Sequence, residues 1–130
     1  MSERTLRVVF LSLAAFNLGL GAWLFFFPRS FYTTIGAFGA YNRHYERDVA
    51  TFYFAFALGA WVAALRPSWR VPMLAITTVQ FLVHTINHRI DAGDSNNSWA
   101  GPVDVVALGL ATVQLAALLW LLRRREAGTP

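Results

Sequence analysis

The apolar run at residues 71–91 carries polar positions that return with helical spacing. At about 100° per residue, Thr77, Gln80, His84, Asn87, His88 and Asp91 project within roughly a 100° arc. Ionisable groups are costly inside a bilayer, so they face a protein interior or a water-filled cavity. A helix in contact with lipid alone has no reason to gather two imidazoles on one face. The stripe predicts a polar pocket within a small helical bundle.

Three further apolar stretches, 8–27, 49–65 and 105–122, are separated from it and from one another by short polar segments. Each is close to the roughly 20 residues that a spanning helix needs. The pattern predicts four spans at about 6–27, 46–65, 71–90 and 103–122, and residues 1–130 as a single transmembrane domain. The expected fold is all-α, an integral membrane four-helix antiparallel bundle. A water-soluble bundle would need a charged outer face on each helix, and none of the four has one.

Local signals set the expected boundaries. Phe25, Phe26, Phe27 and Pro28 do not make a small-residue cleavage site, so the first span reads as a retained helix, stopped by Pro28. Phe25–Phe27 with Phe31 and Tyr32 form an expected aromatic belt at the outer interface. Residues 28–45 are the longest expected connection, with Asn42 as amino-terminal cap of the second helix. Residues 66–70 read as a tight turn held inside by Arg66 and Arg70, residues 92–98 as a solvent loop, and residues 126–130 as a frayed tail.

Composition narrows the class. Hydrophobic residues make up 56% of the chain and charged ones only 14%, against about 25% charged in soluble domains. All eleven basic residues are arginine, and the net charge is +4. Arg4, Arg7, Arg66, Arg70, Arg123, Arg124 and Arg125 fall at one set of helix ends, whereas Arg29, Arg43, Arg47 and Arg89 fall at the other. This asymmetry predicts a multi-pass protein of the cell membrane with both termini cytoplasmic. The arginines belong to helix ends facing the lipid bilayer and are no signal for nucleic acid. With no cysteine, disulfides, thiolate metal sites and thiol catalysis are excluded.

Alternating spans would bring His44, Asp48, His84, Asn87, His88, Asp91 and Asp104 to the outer end of the bundle. His84 lies about 10 Å deeper than Asp91 at a rise of 1.5 Å per residue. Three readings are open. In one, His84 and His88, at i and i+4, are two ligands of a divalent transition metal, completed by Asp48, His44 or Asp104. The residue after His84 is Thr85, not glutamate, so this is no zincin motif. In another, the site takes a lipophilic small molecule, and a histidine–carboxylate pair donates or shuttles a proton. That extends to an oxidoreductase or isomerase acting on a quinone-like or isoprenoid-like substrate. In the third, the same groups tie helix ends: Arg43, Arg47 and His44 pair with Asp48, Asp91 and Asp104, while Gln80 and His84 bond across helices. A working outer surface, either for a partner in a membrane complex or for a homo-oligomer, is a separate expectation.

At Tyr41-Asn42-Arg43-His44-Tyr45-Glu46-Arg47-Asp48 and His84-Thr85-Ile86-Asn87-His88-Arg89-Ile90-Asp91 the chain resembles a group of small bacterial four-helix membrane proteins loosely similar to DoxX-like proteins. The resemblance rests on an asparagine and a histidine shortly before Arg-Asp, and on a His-x-x-x-His ending of the third helix. It implies a four-helix bundle in the cytoplasmic membrane and no established activity.

Overall fold

The computed structural model describes residues 1–128, apart from the side chain of Glu126. It is all-α: α1 (Glu3–Phe26), α2 (Pro28–Thr34), α3 (Arg43–Leu65), a single 3-10 turn (Pro67–Trp69), α4 (Arg70–Ile90) and α5 (Ala100–Ala127). Among the described residues, three helices are long and apolar enough to cross a membrane: α1, α3, and Ala100–Arg125 of α5. With 21 residues α4 has the length, but its glutamine, asparagine, threonines and histidines keep it out of that set. The chain divides into two compact units, Met1–Arg70 and the remainder from Val71.

In the first unit, α1 and α3 run antiparallel. The start of α3 reaches the end of α1, where Arg47 Nε donates to the carbonyl of Phe25 at 3.1 Å. The far end of α3 returns to the start of α1, where Arg70 meets Glu3. The buried face of α1 is Leu6, Phe10, Ala14, Asn17, Gly21 and Leu24, a helical stripe. It meets an α3 face built from alanine: Ala50, Ala57, Ala60, Ala63 and Ala64. Small residues allow close backbone approach, which is what lets helices attract one another where lipid is as apolar as leucine. Gly21 marks the tightest point, since a Cβ there would stand 3.0 Å from the Phe54 ring and 3.2 Å from the Tyr53 Cβ.

Several boundaries follow the sequence pattern and three do not. Asn42 caps α3, its side chain accepting from the backbone N–H of His44 and of Tyr45. α1 begins earlier than expected because Ser2 Oγ accepts from Thr5 N at 3.1 Å. The stretch 28–45 is not all connection: α2 occupies its first part. Pro28 both ends α1 and starts α2, because proline at a first helical position lacks an N–H that would be unpaired anyway. The tail does not fray at Glu126, since α5 continues through Ala127. Thr129 and Pro130 of that tail lie outside the described residues.

Arg70, which follows the turn, is buried: its side chain is 9% exposed. Nη1 donates to both Glu3 carboxylate oxygens, at 3.1 and 2.9 Å, and Nε donates to the Ala63 carbonyl at 3.3 Å. The guanidinium is served on two sides, which a buried charge requires.

The second unit is the hairpin of α4 and α5. Its turn is fixed by Gly101, where a Cβ would overlap the Ala92 carbonyl. Deeper in the hairpin Thr85 Oγ1 and Thr112 Oγ1 meet at 3.0 Å. Each hydroxyl also bonds a carbonyl one turn back on its own helix, Phe81 and Leu108 respectively.

Candidate functional site

α4 is built inside out relative to a water-soluble helix. Ile76, Val79, Leu82, Val83, Ile86 and Ile90 are exposed. On the other side Thr77 is buried, and Gln80, His84, His88 and Asp91 are partly covered. Of the polar stripe only Asn87 is exposed. This is the distribution that a helix adopts when its outer medium is apolar and its polar groups need company. The threonines settle their hydroxyls locally: Thr77 donates to Met73 O at 2.8 Å and Thr78 to Leu74 O at 2.7 Å.

His84 and His88, one turn apart, lie with ring centroids 4.6 Å apart and planes tilted by 42°. From α5, Asp104 projects toward the second of them. Its Oδ2 stands 3.6 Å from His88 Nδ1, with side chains only 17% and 14% exposed. That separation is just beyond a direct hydrogen bond, and Asp104 Oδ2 is a buried oxygen with no hydrogen-bond partner among the described residues. His84, His88 and Asp104 thus form one cluster, a pair of imidazoles and a carboxylate held by two packed helices.

The remaining expected site residues are placed differently. His44 and Asp48 belong to the first unit, on the first turns of α3, where their side chains are 86% and 60% exposed and 3.4 Å apart. Asp91 ends α4, its backbone N–H donating to the Asn87 carbonyl at 3.0 Å. Arg47 does not pair with an acid in the way the helix-tie reading expects. It bonds the Phe25 carbonyl and sits 5.5 Å over the Phe25 ring. Among the described residues no group of three or more histidine, cysteine, aspartate or glutamate side chains is disposed to hold a metal ion.

Three polar features escaped the sequence reading: the Glu3–Arg70 bridge, the Thr85–Thr112 contact, and Glu46, which is buried on α3. The last had a signal. Glu46 shares a helical face with Ala50 and Ala57, so a stripe analysis of α3 like that of α4 would have found it.

The architecture defines a class: an all-α protein with helices long and apolar enough to cross a membrane. Comparison takes it no further, since no family model matches the chain and neither a curated protein nor a solved structure does.

Proposed function

We propose that the chain is a multi-pass protein of the cell membrane, with α1, α3, α4 and α5 as four antiparallel spans and both termini cytoplasmic. The outward apolar face of α4 supports its inclusion as a span despite its polar stripe. The split of arginines between helix ends supports the orientation.

Within this protein the α4–α5 hairpin is a binding site for the polar head of a lipophilic small molecule of quinone-like or isoprenoid-like character. One observation carries the reading: Asp104 and His88 stand 3.6 Å apart and mostly covered, with a carboxylate oxygen that no group among the described residues satisfies by hydrogen bonding. A buried carboxylate left this way costs about 1–3 kcal/mol or more, and a ligand hydroxyl donating to it would remove that cost. His88, beside it, is placed to exchange a proton with a ligand carbonyl or hydroxyl, the task for which imidazole is suited near neutral pH. His84 lies one turn away, its ring centroid 4.6 Å from that of His88. The metal reading has less support, because the cluster lacks the ligand set of a closed site.

The test is chemical. Wild-type protein, Asp104→Asn and His88→Phe are purified in a mild detergent, and their organic extracts compared by mass spectrometry. A lipophilic species present with wild type and depleted from both variants is the expected result. Identical extracts from three equally helical proteins would leave the helix-tie reading in possession of the site.

A further inference from the structure

A different feature of α5 is independent of that site. Within the apolar stretch 105–122 of α5 two side chains are polar, Thr112, whose hydroxyl meets Thr85 and the Leu108 carbonyl, and Gln114. Nine residues separate it from Arg123, or about 13 Å at 1.5 Å per residue, so Gln114 lies near the middle of a bilayer core about 30 Å thick. It is exposed, and its amide has no hydrogen bond or ion pair among the described residues. A primary amide facing acyl chains leaves two donors and a carbonyl without partners, a state that hydrocarbon penalises heavily.

The surroundings of Gln114 make a contact surface. Val103, Ala107, Leu110, Ala117 and Leu121 are all exposed and fall with Gln114 on one heptad-spaced seam. Spacing alone selects no face on a helix this uniformly apolar. The glutamine selects it, because among the exposed faces of the apolar stretch that seam alone carries an unmet polar group. Ala107 and Ala117 flank it and allow the close approach that brings a partner's polar group within reach.

We propose that the chain self-associates in the membrane through this seam of α5, with a second copy of the same chain as occupant. Polar complementarity argues for a copy. The amide carries its own donor and its own acceptor, and so is the complement of itself. Two copies inserted in the same orientation place their α5 helices parallel, and a two-fold axis along the bilayer normal then sets residue 114 against residue 114. Nε2–H of each donates to Oε1 of the other, and both unmet groups are satisfied at once. A single polar position in an apolar seam also fixes register, since a slip of one turn would face each amide with leucine or alanine.

The absence of cysteine makes the test clean. Single cysteines at Ala107, Leu110, Ala117 or Leu121 of the full chain in phosphatidylcholine vesicles are oxidised with copper–phenanthroline, alongside Val106, Val113 and Trp120. Disulfide-linked dimers are expected from the first group and not from the second. Energy transfer between labelled copies, titrated by dilution in lipid, then gives the dimer affinity. Gln114→Leu should weaken it about tenfold, the scale of one interhelical polar contact in a bilayer, and Gln114→Asn should recover part of the loss. Monomer at every dilution, cross-links centred on Val106 and Val113, or a Gln114→Leu dimer as tight as wild type would each overturn the proposal.

Discussion

Each unit carries one histidine–aspartate pair at nearly the same separation, 3.4 Å for His44–Asp48 and 3.6 Å for His88–Asp104. The pairs differ in almost everything else. The first joins i and i+4 of one exposed helical turn, with side chains 86% and 60% accessible. The second joins two helices, with side chains 14% and 17% accessible. Water competes for every hydrogen-bonding position of the first pair and for few of the second. Distance alone would rank them as equals, whereas burial makes one a solvated surface contact and the other a candidate site.

The largest way to break this contrast is to remove what holds α5 against α4. Gly101→Ala drives a Cβ into the Ala92 carbonyl, and because that neighbour is backbone, no side-chain rotation relieves it. The expected cost is about 3 kcal/mol, the upper end for overpacking, read by reversible unfolding in bicelles. Gly109→Ala is the control. Its nearest neighbour is Thr85 Cγ2 at 3.8 Å, so stability should hold or rise slightly. Equal losses at the two glycines would mean that the turn does not set the register of Asp104 against His88.

A double-mutant cycle on His88→Phe and Asp104→Asn sharpens it next. Polar contacts across helices in bilayers are worth about 0.6–2 kcal/mol, and the expected coupling is about 1 kcal/mol. A coupling indistinguishable from zero would remove the pair as a unit, and with it the argument that His88 and Asp104 act together on a ligand.

What could be read from the residues alone follows the range of the interactions. The α4 stripe and the Asn42 cap were legible because both are local, set by helical periodicity and by a side chain reaching N–H groups two and three residues ahead. His88 and Asp104 were each legible as candidates, but their union only as one of three alternatives beside Asp48 and His44, since it depends on how the hairpin turns at Gly101. The burial of Arg70 was not legible because its partner, Glu3, is 67 residues away in sequence. The α2 segment was missed because Pro28 reads as a breaker, when here it breaks one helix by opening another. His44 and Asp48 were legible as a pair, and their exposure was not: periodicity places residues on a face without saying whether anything covers it.

The smallest expected effect concerns that exposed pair, and it is the one that tests whether burial is the right criterion. An i,i+4 ion pair on a helix surface contributes about 0.3–0.5 kcal/mol, because solvent screens it and two side chains lose freedom to form it. Added salt shortens the screening length from about 10 Å at 0.1 M to about 3 Å at 1 M, so what coupling exists between His44 and Asp48 should fade across that range. The buried pair, with little solvent between its members, should change far less. Running the same cycle with His44→Phe and Asp48→Asn at both salt concentrations therefore measures the two environments with one chemistry. If the His44–Asp48 coupling exceeded about 1 kcal/mol and ignored salt, that end of α3 would be shielded in the membrane-embedded protein. The two pairs would then have equal standing as candidate sites, and the preference for Asp104 and His88 would lose its physical basis.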